Sequence, residues 1–164
     1  MEYLSLIEKG IWFGLAAIGF AILFNVPTRT ILVIWFMGAL GGITKLICMH
    51  IGFGVVMSSF AGAGLIGFLS IWAAHSKHSP PMIFAIPSVI PMVPGAFAYR
   101  MMLGLIKLAG DQIGEDYDTI VAETINNGLK AIFILMSLAF GVALPMLLTR
   151  KESAKDIRLK KIMG

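Results

Sequence analysis

Residues 86–100 read IPSVIPMVPGAFAYR, with Pro87, Pro91 and Pro94 inside eight positions, Gly95 directly after the third and Arg100 at the end. The stretch closes a run, 78–99, that contains no Asp, Glu, Lys or Arg. A proline removes a backbone donor and its ring clashes with the preceding turn, so a helix carrying this stretch must break or kink. The rest of the chain sets the solvent in which it does so. Of the 164 residues 58% are hydrophobic and 13% charged, with mean hydropathy +0.88, against roughly 45–50% apolar residues in soluble domains. Further uncharged runs cover 10–28, 30–44, 46–76 and 131–149, and a membrane-spanning helix needs about 20 mostly apolar residues. The composition therefore predicts an all-α, polytopic membrane bundle of five transmembrane helices, the fourth interrupted by the Pro/Gly break.

Hydropathy and helix breakers predict spans near 5–24, 31–49, 55–74, 82–107 and 119–148, joined by short links except at 108–118. The first run has an acidic flank (Glu2, Glu8) and no clear small-residue cleavage pattern, so it is read as a retained helix rather than a signal peptide. From Arg150 onward the chain carries six Lys/Arg, whereas 107–123 holds five carboxylates and one lysine. Positive residues favour the cytoplasm. That predicts a 1–149 transmembrane domain, a cytoplasmic basic tail at 150–164, an outer N-terminus, and Arg29 and Lys77 in inner loops. The tail reads as a topology anchor, with a lip on anionic lipid as the alternative. Gly10/Gly14, Gly38/Gly42 and the Ser58–Gly64 cluster have the small-residue spacing of close helix contacts. The spacing does not say whether they meet within the chain or against another protein.

If the fourth span enters near Met82, Pro94 lies about 18 Å along it, close to the bilayer centre. Carbonyls freed there cannot be satisfied by lipid and must face protein or a water-lined cavity. Pro94-Gly95 resembles the start of a second half-helix, whose N-terminus would offer unpaired N–H groups and partial positive charge to an anion. The alternative is a kinked helix packed on its neighbours. Lys45, Arg100 and Lys130 are all expected in the outer half, Lys45 about 21 Å and Arg100 about 27 Å from the inner side. Charges within spans are costly and usually face a cavity or a partner, so these cations are candidates for an anion vestibule; snorkelling to the headgroups is the competing role. Asn25 and Asn126/Asn127 are candidate polar contacts or helix–helix bonds, and Tyr99 lies one turn after Gly95 on the same face.

Other chemistries lack support. Cys48 is the single cysteine, leaving no internal disulfide or thiolate cluster. His75 and His78 have no acidic neighbour to complete a metal site. There is no phosphate-binding loop and no acid/base constellation, so no enzyme and no cofactor are expected, and nothing in the basic residues indicates nucleic-acid binding.

FNVPTRTI (24–31) and VIPMVPGAFAYR (89–100), with Lys45 and with Asn127 placed 18 residues before Pro145, resemble the small-subunit, YjjB-like branch of the threonine/serine exporter superfamily. The resemblance covers nearly the whole chain in length and span count. It implies a five-helix subunit acting with a larger YjjP-like membrane partner, the two corresponding to the halves of single-chain amino-acid exporters, and leaves room for several copies in one complex. Pairs of this type export succinate and single-chain relatives export threonine and serine. The positions matching family features are Asn25, Pro27, Arg29, Lys45, Pro91, Pro94, Gly95, Tyr99 and Asn127; Arg100 and Lys130 match less closely. The expectation is a carboxylate-exporter subunit with its pathway along Asn25, Lys45, Pro91, Pro94, Gly95, Tyr99, Arg100 and Asn127. A threonine/serine exporter subunit and a non-transporting scaffold are the alternatives.

Overall fold

The computed structural model describes residues 2–110 and 117–149, all in helices and short links. The basic tail and the centre of the acidic loop, both singled out above, lie outside the described residues. The elements are α1 (Glu2–Leu23), α2 (Thr28–His50), α3 (Val55–Lys77), α4 (Pro81–Val89) running into a 3-10 turn (Ile90–Met92), α5 (Gly95–Ala109) and α6 (Tyr117–Thr149). Helices α1, α2, α3 and α6 are each long and apolar enough to cross a membrane, and α4 with its turn forms a fifth such unit with α5, bent by 52°. Pro145 sits inside α6 without ending it.

Three helix ends share one device. After α1, α2 and α3 the chain steps through a left-handed residue: Asn25 (φ 53), Gly52 (φ 102) and His78 (φ 50). The next N–H reaches back five residues in each case, Val26 to Ala21, Phe53 to Cys48 and Ser79 to Ala74, so these ends satisfy their own orphan carbonyls. Pro27 and Pro80 then stand at the N-caps of α2 and α4. Arg29 Nη2 donates to Ser79 Oγ at 3.4 Å, which holds the α1–α2 and α3–α4 links at one end of the bundle.

The small residues meet within the chain. On α1 and α2, Gly10 faces Ile43, Gly14 faces Trp35, Gly38 faces Ala17, and Gly42 faces Phe13. Close backbone approach of this kind drives helix association in lipid, where no hydrophobic contrast exists between neighbour and solvent. Between α3 and α6, a Cβ on Gly67 would fall 2.7 Å from the Val142 carbonyl oxygen, and one on Gly141 would fall 2.7 Å from Ala63 Cβ. Helix α4 packs against α1, α2 and α3, burying Phe84, Ala85, Pro87 and Ser88 in a core with Ala17, Ile34 and Ile66.

Helix α5 leaves that core. It packs on α6 and buries Gly104 alone of its 15 residues, where a side chain would collide with Thr124. Gly141 crosses α3 at Ala63, and α6 has 24 residues before its crossing point where α3 has 8. At 1.5 Å per residue, α6 reaches about 24 Å further than α3 past that crossing. Its first half pairs with α5 as a two-helix arm, its second half with α3 in the bundle.

Candidate functional site

The break is built from three backbone adjustments. Val93 N–H donates to the Ile90 carbonyl at 3.0 Å. Pro94 (φ −80, ψ 55) sits at the centre of a three-residue turn closed by Gly95 N–H on the Val93 carbonyl at 2.9 Å, which is inverse γ-turn geometry. Phe97 and Ala98 N–H both return to the Pro94 carbonyl, at 3.2 and 3.1 Å. The expected row of free donors at a half-helix N-terminus is therefore mostly used up. The γ-turn takes Gly95, tightened bonding takes Phe97 and Ala98, and Ala96 N–H is the one of these four without a backbone partner among the described residues.

In an unbroken helix Ala96 N–H would bond the Met92 carbonyl. Lys45 takes its place, with Nζ donating to Met92 O at 3.1 Å. The positive element facing the break is thus the half-buried ammonium of Lys45, reached from α2, rather than a row of amides. Gly62 of α3 makes room for this. A Cβ there would lie 2.6 Å from the Gly41 carbonyl oxygen, 3.2 Å from Met92 Sδ and 3.3 Å from Lys45 Cβ. One turn earlier in the broken helix, Ser88 Oγ lies 2.8 Å from the Phe84 carbonyl oxygen and 3.2 Å from that of Ile34. A serine hydroxyl bonded back to its own helix tends to bend it, and this one also ties α4 to α2. Pro94 is buried and Pro91 half-buried at the turn.

The other candidates lie apart from Lys45. Arg100 and Asn127 meet in the arm, where Arg100, Ala122, Glu123, Asn126, Asn127 and Lys130 line an open groove of about 540 Å³. Asn127 Nδ2 donates to its own helix at the Glu123 carbonyl, 2.8 Å. Lys130 Nζ stands 5.8 Å from the centre of the Phe97 ring, a cation–π distance linking α6 to the first turn of α5. Tyr99 is 58% exposed, and a Cβ on Gly95 would meet open space, so both face away from the bundle. Asn25 sits in the α1–α2 link at the opposite end, about 30 Å of chain rise from Lys45, where its left-handed backbone ends α1. His75 Nδ1 is 2.8 Å from the Ile71 carbonyl oxygen.

Sequence reasoning passed over Met92 and Ser88, and singled out Glu123 only as a candidate pairing partner of Lys130. The proline spacing held a usable signal for Met92, since Ala96 is its helical bonding partner and Pro94-Gly95 intervenes. Ser88 carries none, because its role depends on what faces it.

Lys45 at the break and Arg100 with Lys130 in the arm thus form two separate cation-bearing regions. The profile of the family described as Threonine/Serine exporter, ThrE, matches residues 9–148. The chain belongs to the threonine/serine exporter family. It is also 32% identical over 149 residues to an uncharacterized protein of Haemophilus influenzae, an alignment covering 91% of this chain and 49% of that protein. The chain thus spans about half the length of this curated relative. No solved structure matches it. As a member of an exporter family with several apolar helices, the chain is a multi-pass membrane protein.

Proposed function

We propose that this chain is the membrane subunit of a two-component exporter of small carboxylates, succinate or a related dicarboxylate first and threonine or serine second. The observation that carries the reading is the bond from Lys45 Nζ to the Met92 carbonyl, which sets an exchangeable cation on a helix break inside an exporter-family bundle. A carboxylate offers Lys45 a charged acceptor in place of a neutral one, and charge-assisted bonds are roughly twice as strong. From there the solute passes toward the Arg100, Asn126, Asn127 and Lys130 groove on the outer side. A dianion leaving a negative-inside cell gains about 2.3 kcal/mol per charge per 100 mV, so efflux needs no ATP. The exporter sits in the inner membrane with the basic tail inside.

The partner in this reading is a larger, YjjP-like membrane subunit. Its support is the likeness to the small-subunit branch of the family, which implies such a partner; the chain itself covers 49% of the Haemophilus protein. The test is counterflow of labelled succinate, threonine and serine in vesicles holding this chain, its partner, or both. Saturable succinate flux that needs both chains, and is lost in Lys45→Ala, is the expected result. Flux equal in the presence and absence of this chain would leave it a scaffold. Threonine or serine flux alone would reverse the substrate order.

A further inference from the structure

Ser59 of α3 is fully buried, at 0% exposure, and its Oγ has no hydrogen-bond partner among the described residues. The six other buried hydroxyls of the described residues are all bonded: Thr30 Oγ1 donates to the Pro27 carbonyl at 2.7 Å and Ser58 Oγ to that of Phe53 at 3.3 Å. Ser70, Ser88, Thr124 and Ser137 each donate to a carbonyl three or four residues back on their own helix, at 2.6–2.8 Å. That option is open to any serine in a helix, and Ser59 does not take it. Buried polar side chains are paired in the large majority of cases, and an orphan calls for a reason.

Its position supplies one. Helices α2 and α3 run antiparallel with Gly41 against Gly62 and Ile66, and the Gly62 position touches Met92 Sδ and Lys45 Cβ. One turn back from Gly62 along that face is Ser59, and one turn on from Gly41 along the facing helix is Lys45. By helical register Ser59 and Lys45 therefore stand at a similar level of α3 and α2, and it is Lys45 that bonds the Met92 carbonyl.

We propose that Ser59 is a ligand-binding residue: with Lys45 it forms a carboxylate site at the broken helix, closed by the Lys45–Met92 bond and opened when a carboxylate draws the ammonium away. The hydroxyl then donates to one carboxylate oxygen and Nζ to the other, so both polar groups are satisfied only in the loaded state. This rests on the reading of the exported solute as a small carboxylate.

The test is thermal unfolding of the full chain in nanodiscs, titrated with succinate and followed by tryptophan fluorescence. The wild type is expected to be stabilised saturably. Ser59→Ala should melt at the same temperature or higher without succinate, because an unpaired buried hydroxyl is removed. Its half-saturating succinate concentration should rise by about tenfold or more, the scale of a lost hydrogen bond to a charged group. Ser59→Cys should behave alike, and Lys45→Met should abolish the shift. An unchanged half-saturation in both Ser59 variants, as a trapped water on the hydroxyl would produce, overturns the role of Ser59 and leaves the carboxylate reading standing. A wild type that responds to none of succinate, threonine or serine, alone and co-reconstituted with its partner, overturns both.

Discussion

Gly62 is the residue on which the break depends most directly. Residues of α2 and of the 3-10 turn converge on its missing side chain, and the nearest atom to a Cβ placed there is a backbone oxygen, that of Gly41 at 2.6 Å. A backbone atom cannot swing aside, so Gly62→Ala must push α2 and α3 apart. Overpacking of this kind costs about 1–3 kcal/mol, and the variant should melt at a lower temperature than the wild type. A melting curve superimposable on the wild type would mean the helices do not approach so closely. Lys45 was legible in the sequence as a lone cation in an apolar run; Gly62 stood out only as one of several small residues, and Ser59 not at all. The difference is physical. A charge in a membrane span is costly wherever it points, whereas the role of a small or hydroxyl residue is set by what lies across the interface.

At the scale of elements, the bent pair divides the work. Helix α4 is locked into the bundle by Phe84, Pro87 and Ser88, while α5 leans on α6 through Gly104 and through Lys130 over Phe97. Replacing both Pro91 and Pro94 by alanine returns the missing donors and lets the helix run on. With spin labels at Ile86→Cys and Ile106→Cys in a Cys48→Ser background, straightening the 52° bend should lengthen the separation by about 3 Å and abolish efflux. An unchanged distance would show that packing of α5 on α6, rather than the prolines, holds the bend. The position of this break was readable from proline chemistry alone. Its shape was readable only in part: the second half-helix starts at Gly95 as expected, but a γ-turn consumes the Gly95 N–H and Lys45 supplies the positive charge at the break.

For the whole molecule, the arm and the bundle put the cations at different levels along the axis, Lys45 within the bundle and Arg100 with Lys130 toward its end. If the arm faces outward, as the charge distribution predicts, a membrane-impermeant thiol reagent added outside cells should label Asn126→Cys and not Ser79→Cys, both in the Cys48→Ser background. Labelling of Ser79→Cys alone would invert the orientation and turn the proposed exit groove into an entrance. The amino-acid sequence by itself determined the class of molecule, the number of spans and the place of the break, because hydropathy and proline chemistry act along the chain and need no partner. Only the tertiary structure decided that the glycine pairs close on one another, that Lys45 bonds Met92, that Asn25 serves a helix end far from both, and that Ser59 is left unpaired. These depend on the rotation and axial offset of one helix against the next. In lipid, apolar residues face outward as readily as inward, so the hydrophobic periodicity that orients a helix in a soluble protein carries no such direction here.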